Sequence, residues 1–256
     1  MGALDWAALD AQIEASLAAE AVPGLALAVL HDGQLIAARG YGLTSVEEGG
    51  QPITPGTLFR VGSISKPITA LLALRLVARD LLDLDEPIKR YWPELRIGAD
   101  GAEDQITLRL LLSHSAGIYN DLRYYGERGA DALQRLTLRD FAASRLVFAP
   151  GQGYAYSNPG FNLIGALCEV ITGRPFAEVA AREVFEPLGM ARSTFDPLLA
   201  LTYPLALPHR RHDDGQPYVM RPFIDYPAHA PCGFALSTVL DLARMAQMLQ
   251  IGRAHV

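Results

Sequence analysis

Two side chains with complementary chemistry, Ser63 and Lys66, lie three residues apart at the start of a helical pattern. On a helix, residues three apart are neighbours on one face, so the hydroxyl and the amine are expected to meet. A serine hydroxyl becomes a strong nucleophile only when a base takes its proton, and a lysine can be that base once its ammonium is desolvated or lies near other cations. The spacing therefore indicates a Ser-Lys nucleophile pair at a helix N-terminus, where the helix dipole favours an oxyanion.

The rarity of lysine makes Lys66 informative. Of the 22 cationic residues, only Lys66 and Lys89 are lysine, and the rest are arginine. Arginine cannot be deprotonated in a protein, so it cannot replace a lysine that acts as a base. A plainer interpretation stays open at this point, in which Ser63 caps a helix and Lys66 is a solvated cation.

A second polar pair, Tyr156 and Asn158, lies far along the chain in the segment Gly-Tyr-Ala-Tyr-Ser-Asn at 153–158. Two residues apart in an extended segment, their side chains point to the same side. A phenol near ammonium groups can ionise below its usual pKa of about 10 and act as a base, and an Asn amide can hold a lysine or bind a substrate carbonyl. Alternatively, Tyr156 is a packing aromatic residue and Asn158 is a helix cap.

Turn signals and apolar periodicity predict the elements that position these residues. The first part of the chain predicts a helix capped by Asp5, a hairpin of strands 25–30 and 35–38 around Asp32-Gly33, a short strand at 57–61 and a helix at 65–79.

The later part of the chain predicts mostly helices. Two short helices are predicted to begin after the capping residues Thr107 and Thr137 and to end at residues 112 and 141. A longer helix is predicted at 161–171, opened by Ser157 or Asn158 and closed by Gly173, and two more are predicted at 176–185 and 239–250. The segment 83–101 is expected to be rich in turns, and 196–231 is expected to be irregular. A few strands followed by helices indicate an α+β fold with a sheet lobe and a helical lobe.

Composition and charge limit the class of protein. With 256 residues, 50% hydrophobic and 20% charged, the chain is long enough for one sizeable core and resembles soluble globular enzymes in make-up. The net charge of -6 argues against a nucleic-acid partner. We see no membrane span and no signal peptide at the N-terminus, so the default expectation is a cytoplasmic protein.

The other reactive or metal-binding side chains do not indicate a second site. Cys168 lies on an apolar helical face and is expected to be core, and with Cys232 it makes no disulfide framework. His209 and His212 precede two aspartates but lack a supporting third ligand, so no metal site is expected. No phosphate-binding loop or cofactor fingerprint is present, and we therefore expect no cofactor.

The motifs together resemble a known superfamily. Ser-Ile-Ser-Lys at 63–66 followed by Tyr-Ser-Asn at 156–158 is similar to the serine β-lactamase and penicillin-binding superfamily. The Tyr-x-Asn form resembles the class C β-lactamase branch, with its related esterases and D-amino-acid peptidases. The segment at 110–117 resembles the family's Leu-Leu-x-His-Thr-Ser-Gly loop, and 231–234 resembles its Pro-Ala-Gly-Gly-Leu turn, with Cys232 and Phe234 departing.

The resemblance implies a role for each of these residues. Ser63 would be the acyl-accepting nucleophile, Lys66 and Tyr156 would share the role of base, and Asn158 would position substrate and lysine. The Ser63 backbone N–H would be one oxyanion donor. His114 would be structural rather than catalytic.

The family also has a third motif, Lys-Thr-Gly or His-x-Gly, on a strand after the last predicted helix, and this sequence has no such motif. We therefore expect one β-lactamase-related domain over 1–250 without its C-terminal sheet strands, and a non-native tail at 251–256. The tail, Ile-Gly-Arg-Ala-His-Val, back-translates into common sequencing-adapter DNA. A hairpin lacking those strands would have an open edge and an uncovered apolar face, so aggregation and weak hydrolysis are expected.

The resemblance implies a serine hydrolase that acts through a Ser63 acyl-enzyme on small esters, amides or D-peptides. A β-lactamase proper is the alternative within that class, because it shares the motifs. A non-catalytic penicillin-binding or sensor module is the alternative from a different class. The expected partner is a small-molecule ester, amide or peptide substrate, and the sequence sets neither its identity nor the oligomeric state.

Overall fold

The computed structural model describes residues 5–98, 101–120 and 128–251. Its helices are, in chain order, α1 (Trp6–Ala19), α2 (Ser65–Val77), α3 (Leu108–Leu112), α4 (Ala132–Ala142), α5 (Asn158–Thr172), α6 (Phe176–Ala180), α7 (Pro197–Ala200), α8 (Ala230–Gly233) and α9 (Val239–Ile251). Its strands are β1 (Gly24–His31), β2 (Gln34–Gly42), β3 (Phe59–Arg60), β4 (His209–Arg211), β5 (Pro217–Val219) and β6 (Leu236–Ser237). Helices with short antiparallel strands confirm the predicted α+β class.

The chain divides into two compact units. The first comprises Met1–Arg60, Leu188–Ile224 and Leu236–Val256, and the second comprises Val61–Pro187 and Asp225–Ala235. The single domain expected over 1–250 stays a prediction. Ile251 ends α9, whereas the rest of the predicted tail and the first four residues lie outside the described part of the chain.

The hairpin of β1 and β2 is the main sheet element of the first unit. The strands pair antiparallel, and Asp32 and Gly33 take positive φ angles of 48° and 73°, as a two-residue hairpin turn requires. Helices α1 and α9 both contact it: Tyr41 donates to Asp10 of α1 at 2.6 Å, and Gln247 of α9 donates to the Gly33 carbonyl at 2.8 Å. The expectation that the hairpin has an uncovered apolar face is therefore corrected in part. No third strand pairs with the hairpin among the described residues.

A second small sheet and an apolar cluster complete the first unit. Strands β3 and β6 pair antiparallel, so the strand predicted at 57–61 is limited to Phe59–Arg60, while Leu58 forms an isolated bridge to Leu205. Leu58, Ala200 and Leu236 form a fully buried cluster beside this pair. The first unit thus buries apolar surface through contacts between segments distant in sequence.

The segment predicted as irregular, 196–231, contains regular structure that the prediction missed. It forms α7 and a hairpin of β4 and β5, whose turn includes Gly215 at a φ of 85°. Asp214-Gly215 is the same kind of turn signal that identified the first hairpin. The charged and proline-rich flanks obscured the alternation that would have marked the strands.

Helix α5 is the centre of the second unit and contacts α2, α3, α4, α6 and α8. Both predicted ends are confirmed: Ser157 Oγ accepts the Gly160 N–H at 3.0 Å, and Gly173 closes the helix with a φ of 66°. A Cβ atom on Gly165 would lie 2.2 Å from Cγ of Pro231. Glycine at this position therefore allows the segment around α8 to pack directly on α5.

Most of the other predicted helices are confirmed, with one wrong boundary. Helices α1, α2, α3 and α9 match their predictions, and the helix predicted at 176–185 consists of α6 followed by a π-helical turn, Ala181–Phe185. Thr137, however, does not cap a helix, because it is buried inside α4. The apolar side chains of Leu133, Leu136 and Phe141 on α4 are all buried, so packing carries the helix through the threonine.

Candidate active site

The predicted nucleophile lies on a tight turn that feeds α2. Ser63 is exposed and belongs to a 3₁₀ turn, Gly62–Ile64, whose first residue, Gly62, has a left-handed φ of 53°. Ser65 fixes this turn, since its hydroxyl donates to the Gly62 carbonyl at 2.7 Å and accepts the Ala235 N–H at 2.9 Å. The hydroxyl of Ser63 is thus presented to solvent from a rigid backbone.

Lys66 is buried in the first turn of α2, with only 4% of its surface exposed. Its Nζ lies 3.2 Å from Ser63 Oγ, 2.7 Å from Asn158 Oδ1 and 2.8 Å from the carbonyl oxygen of Cys232. The interpretation of Lys66 as a solvated cation is therefore wrong. These three oxygens define the Lys66 cradle.

The cradle constrains what Lys66 can do for Ser63. An amine nitrogen has four tetrahedral directions, one of which is its own side chain, so three partners occupy the rest. The oxygens of Asn158 and Cys232 can only accept, and each must receive an N–H of Lys66. The remaining direction faces Ser63 Oγ, where an ammonium donates a hydrogen bond and a neutral amine presents the lone pair that can take a proton.

Tyr156 completes the surroundings of the nucleophile. Its hydroxyl lies 2.9 Å from Ser63 Oγ, and either oxygen can donate the hydrogen bond. The Lys66 Nζ lies 4.8 Å from the centre of the Tyr156 ring, a cation-π distance. Tyr156 is 38% exposed. The predicted residues Ser63, Lys66 and Tyr156 are therefore in mutual contact within the second unit, although they come from segments far apart in sequence.

Asn158 holds the lysine through a fixed amide orientation. It is the first residue of α5, and Ser157 rather than Asn158 caps the helix. Asn120 Oδ1 accepts from both the backbone N–H of Asn158 at 3.0 Å and its side-chain Nδ2 at 3.2 Å. This contact turns Asn158 Oδ1 toward Lys66, while contact of Asn158 with a substrate stays a prediction.

Two partners of the site, Cys232 and Asn120, were missed as functional residues. Cys232 contributes its backbone carbonyl, which no side-chain pattern reveals, although the family-like turn at 231–234 marked its location. Its thiol donates to the His229 carbonyl at 3.3 Å, and burial raises the thiol pKa to about 11. Asn120 lies three residues after the family-like loop at 110–117, and its residue type alone did not mark it as a partner of Asn158.

His114 lies beside Tyr156 without touching Ser63. Its Nδ1 accepts the Ser157 N–H at 3.1 Å, and its ring centre is 4.7 Å from that of Tyr156. Burial, and after it the positive charge of Lys66, lower the pKa of His114 below its usual 6.5. A neutral ring is what the contact to Ser157 needs, because a protonated Nδ1 cannot accept.

The remaining candidate residues have local partners of their own. Burial raises the pKa of the Cys168 thiol to about 12, and its side chain is fully buried in α5 as expected of a core residue. His209 accepts the Val46 N–H at 3.2 Å, while the ring of His212 stacks on Tyr218 at 4.2 Å. Across residues 5–98, 101–120 and 128–251, no three His, Cys, Asp or Glu side chains form a metal-binding group.

Membrane insertion by a helix finds no support in the part of the chain that the structure describes. None of its helices combines the length and the apolar character that crossing a bilayer requires.

Comparisons with known proteins agree with this geometry. Residues 9–255 match the family described as "Beta-lactamase". The chain is 37% identical over 232 residues to esterase EstB of Burkholderia gladioli, covering 84% of this chain and 56% of that protein. It is 35% identical over 195 residues to a D-aminopeptidase of Gluconobacter oxydans, covering 73% of this chain and 35% of that protein.

A solved structure shares the fold. The octameric penicillin-binding protein homologue from Pyrococcus abyssi superimposes with a TM-score of 0.80 at 28% identity, over 98% of this chain and 57% of that chain. The chain thus spans about half the length of that protein and of the esterase. The resemblance carried by Ser63, Lys66, Tyr156 and Asn158 is confirmed, and the chain belongs to the beta-lactamase family.

Proposed function

We propose that this protein is a serine hydrolase that forms a covalent acyl-enzyme on Ser63 and acts on small esters, amides or D-peptides. The observation that carries the proposal is the pair of contacts at Ser63 Oγ, 2.9 Å to Tyr156 Oη and 3.2 Å to Lys66 Nζ. Both neighbours can hold a proton, and a nucleophile within hydrogen-bond reach of its base is the arrangement that activates a serine. The names of the relatives, an esterase and a D-aminopeptidase, support the substrate classes.

The reaction has two steps, acylation of Ser63 and hydrolysis of the acyl-enzyme. Ser63 Oγ attacks the substrate carbonyl carbon, a C–O bond forms, and the hydroxyl proton passes to Tyr156 Oη or Lys66 Nζ. The tetrahedral intermediate then breaks its bond to the alcohol or amine, which leaves with that proton. In the second step, water attacks the acyl group on Ser63 and gives up a proton to the same base. The bond to Ser63 Oγ then breaks, the acid is released, and the base passes that proton to Ser63 Oγ.

The Lys66 cradle supports catalysis over simple binding. A binding module needs a surface complementary to its ligand, whereas a buried lysine held by three oxygens beside an exposed serine serves no obvious binding purpose. Taking an ammonium out of water is costly, and the fold supplies Asn158 and Cys232 as partners in compensation.

The proposal is tested with a substrate panel assayed against Ser63→Ala. The panel contains p-nitrophenyl acetate and butyrate, a chromogenic cephalosporin and D-alanyl peptides. We expect turnover of the esters or the D-peptides that Ser63→Ala abolishes. Preferred turnover of the cephalosporin would identify a β-lactamase proper. Labelling of Ser63 by a fluorescent penicillin without turnover of any substrate would identify the penicillin-binding module.

A further inference from the structure

The loop that carries Tyr156 is attached to one residue, His114, by two hydrogen bonds. The His114 carbonyl accepts the N–H of Ala155 at 2.9 Å, and the His114 ring Nδ1 accepts the N–H of Ser157 at 3.1 Å. Ala155 and Ser157 are the two sequence neighbours of Tyr156. His114 therefore holds the backbone on both sides of Tyr156, at the N–H of Ala155 and at the N–H of Ser157.

The ring of His114 also contacts the side chain that it brackets. Its centre lies 4.7 Å from that of Tyr156 and 5.1 Å from that of Phe161 on α5. The His114 ring, itself packed on Phe161, limits the rotation of Tyr156 about its side-chain bonds. Backbone and side chain are thus held by the same residue.

The backbone of His114 explains how one residue does both. His114 follows α3 directly after its last cap, Ser113, and has a left-handed φ of 58°. Only glycine adopts this region freely, and asparagine, aspartate and histidine are the other residues enriched there. This conformation keeps the carbonyl and the ring together on the side of the 154–157 loop, where a helical continuation of α3 would separate them.

We propose that His114 is the positioning residue for Tyr156: it holds the backbone N–H of the residue on each side of Tyr156 and so sets the Tyr156 hydroxyl against Ser63 Oγ. The inference rests on the proposed part of Tyr156 in Ser63 acylation. His114 touches neither Ser63 nor, by this account, the substrate. It acts through Tyr156 alone.

The hydrogen bond from the Ser157 N–H to His114 requires a neutral imidazole ring. Within the described part of the chain, the titratable groups that face His114 are Lys66 on α2 and the phenols of Tyr154 and Tyr156 in the loop. Burial and the Lys66 charge both favour the neutral ring, whose proton then lies on Nε2 and leaves Nδ1 free to accept from Ser157. Protonation of Nδ1 would remove the acceptor and release one side of the loop.

Two substitutions of similar size test whether the hydrogen-bond acceptor of the His114 side chain matters. Asn in His114→Asn places its side-chain oxygen near the position of Nδ1 and tolerates a left-handed φ, whereas His114→Leu has no acceptor. A displacement of ~1 Å at a reacting group can cost roughly 10²-fold in rate, so we expect His114→Leu to slow Ser63 acylation by about that factor. His114→Asn is expected to retain most of the rate. The rate is measured as Ser63 labelling by a fluorophosphonate.

A double-mutant cycle shows whether the effect passes through Tyr156. In the Tyr156→Phe background, where the hydroxyl is absent, His114→Leu should cause no further loss of rate. An equal loss in both backgrounds, or a His114→Leu variant as fast as wild type while Tyr156→Phe is slow, would overturn the positioning role. Wild type labelled no faster than Ser63→Ala would instead contradict the proposed function.

A measurement on the wild-type chain tests the contact between His114 and the Tyr156 loop even if a variant fails to fold or the protein is inactive. We expect 15N NMR to show His114 as the Nε2–H tautomer near neutral pH. The Ser157 amide should be protected from hydrogen exchange and should lose that protection as His114 becomes protonated. A proton on Nδ1 at neutral pH, or Ser157 exchange that does not respond to the His114 titration, would refute the inference.

Discussion

Replacing Lys66 by methionine is expected to cost the fold several times more than replacing Tyr156 by phenylalanine, although each change removes one contact to Ser63. Methionine keeps the apolar stem of the lysine and removes its ammonium. The Cys232 carbonyl and Asn158 Oδ1 then lose hydrogen bonds of 2.8 Å and 2.7 Å. Tyr156→Phe removes a hydroxyl whose one described hydrogen bond is solvent-exposed.

The size of the difference follows from burial. The bond to Cys232 is buried, and leaving such an acceptor unpaired costs ~1–3 kcal/mol, while the part-buried Asn158 Oδ1 adds ~1 kcal/mol. Wild type must keep an ammonium out of water, and removing it recovers part of this, which leaves a net loss of about 2 kcal/mol for Lys66→Met. In a chain of this length that is a fall of about 4–8 °C in Tm. Tyr156→Phe should cost less than about 0.5 kcal/mol.

The measurement is thermal and urea unfolding of wild type and the two variants, with Arg90→Met as a matched control. Arg90 is exposed and pairs with Glu86, which is also exposed, at 2.9 Å. Such a surface pair contributes little to stability, so the control should lose less than Lys66→Met. A Lys66→Met protein that melts with wild type would refute the reasoning about the cradle, as would equal losses in all three variants.

Three further outcomes follow from the same structure. Lys66→Arg should lose about as much hydrolytic activity as Lys66→Ala, roughly 10²-fold or more, because arginine cannot release a proton; ester hydrolysis measures this, and an active arginine variant would assign the base elsewhere. Ser157→Ala should reduce the free energy of unfolding by about 0.5–2 kcal/mol, since its hydroxyl accepts the Gly160 N–H at the start of α5; urea unfolding measures it, and an unchanged midpoint would contradict it. The pKa of His114 in the folded protein lies below 6.5, so stability that is present above pH 6.5 should be lost as the pH falls below that value. Urea unfolding across this pH range should show a smaller loss of stability in His114→Asn, and identical pH profiles of the two proteins would contradict this expectation.

Local signals in the sequence were sufficient for most of the elements. Asp32-Gly33 specified the first hairpin, and Ser157 with Gly173 specified both ends of α5, because turns and caps depend on a few adjacent residues. The three-residue spacing of Ser63 and Lys66 likewise fixed their contact at the start of α2. Turns, helix caps and contacts within one helical turn depend on neighbours in sequence and were therefore predicted well.

Several features that depend on packing between distant segments were not predicted. Thr137 has the residue type of a cap but is buried within α4, because apolar neighbours extend the helix past it. The Cys232 carbonyl reaches Lys66 only because Gly165 lets the α8 segment lie against α5. Backbone groups carry no residue-type signal, so the third side of the Lys66 cradle was visible only in the fold.

The central claim is that Ser63 accepts the acyl group, and mass spectrometry of the labelled protein tests it most directly. Wild type treated with an alkyl fluorophosphonate should gain the mass of one adduct, and peptide mapping should place that adduct on Ser63. Ser63→Ala should gain no adduct, while Ser16→Ala, which changes an exposed serine of α1, should be labelled as wild type is. An adduct on another residue, or equal labelling of Ser63→Ala, would contradict the account.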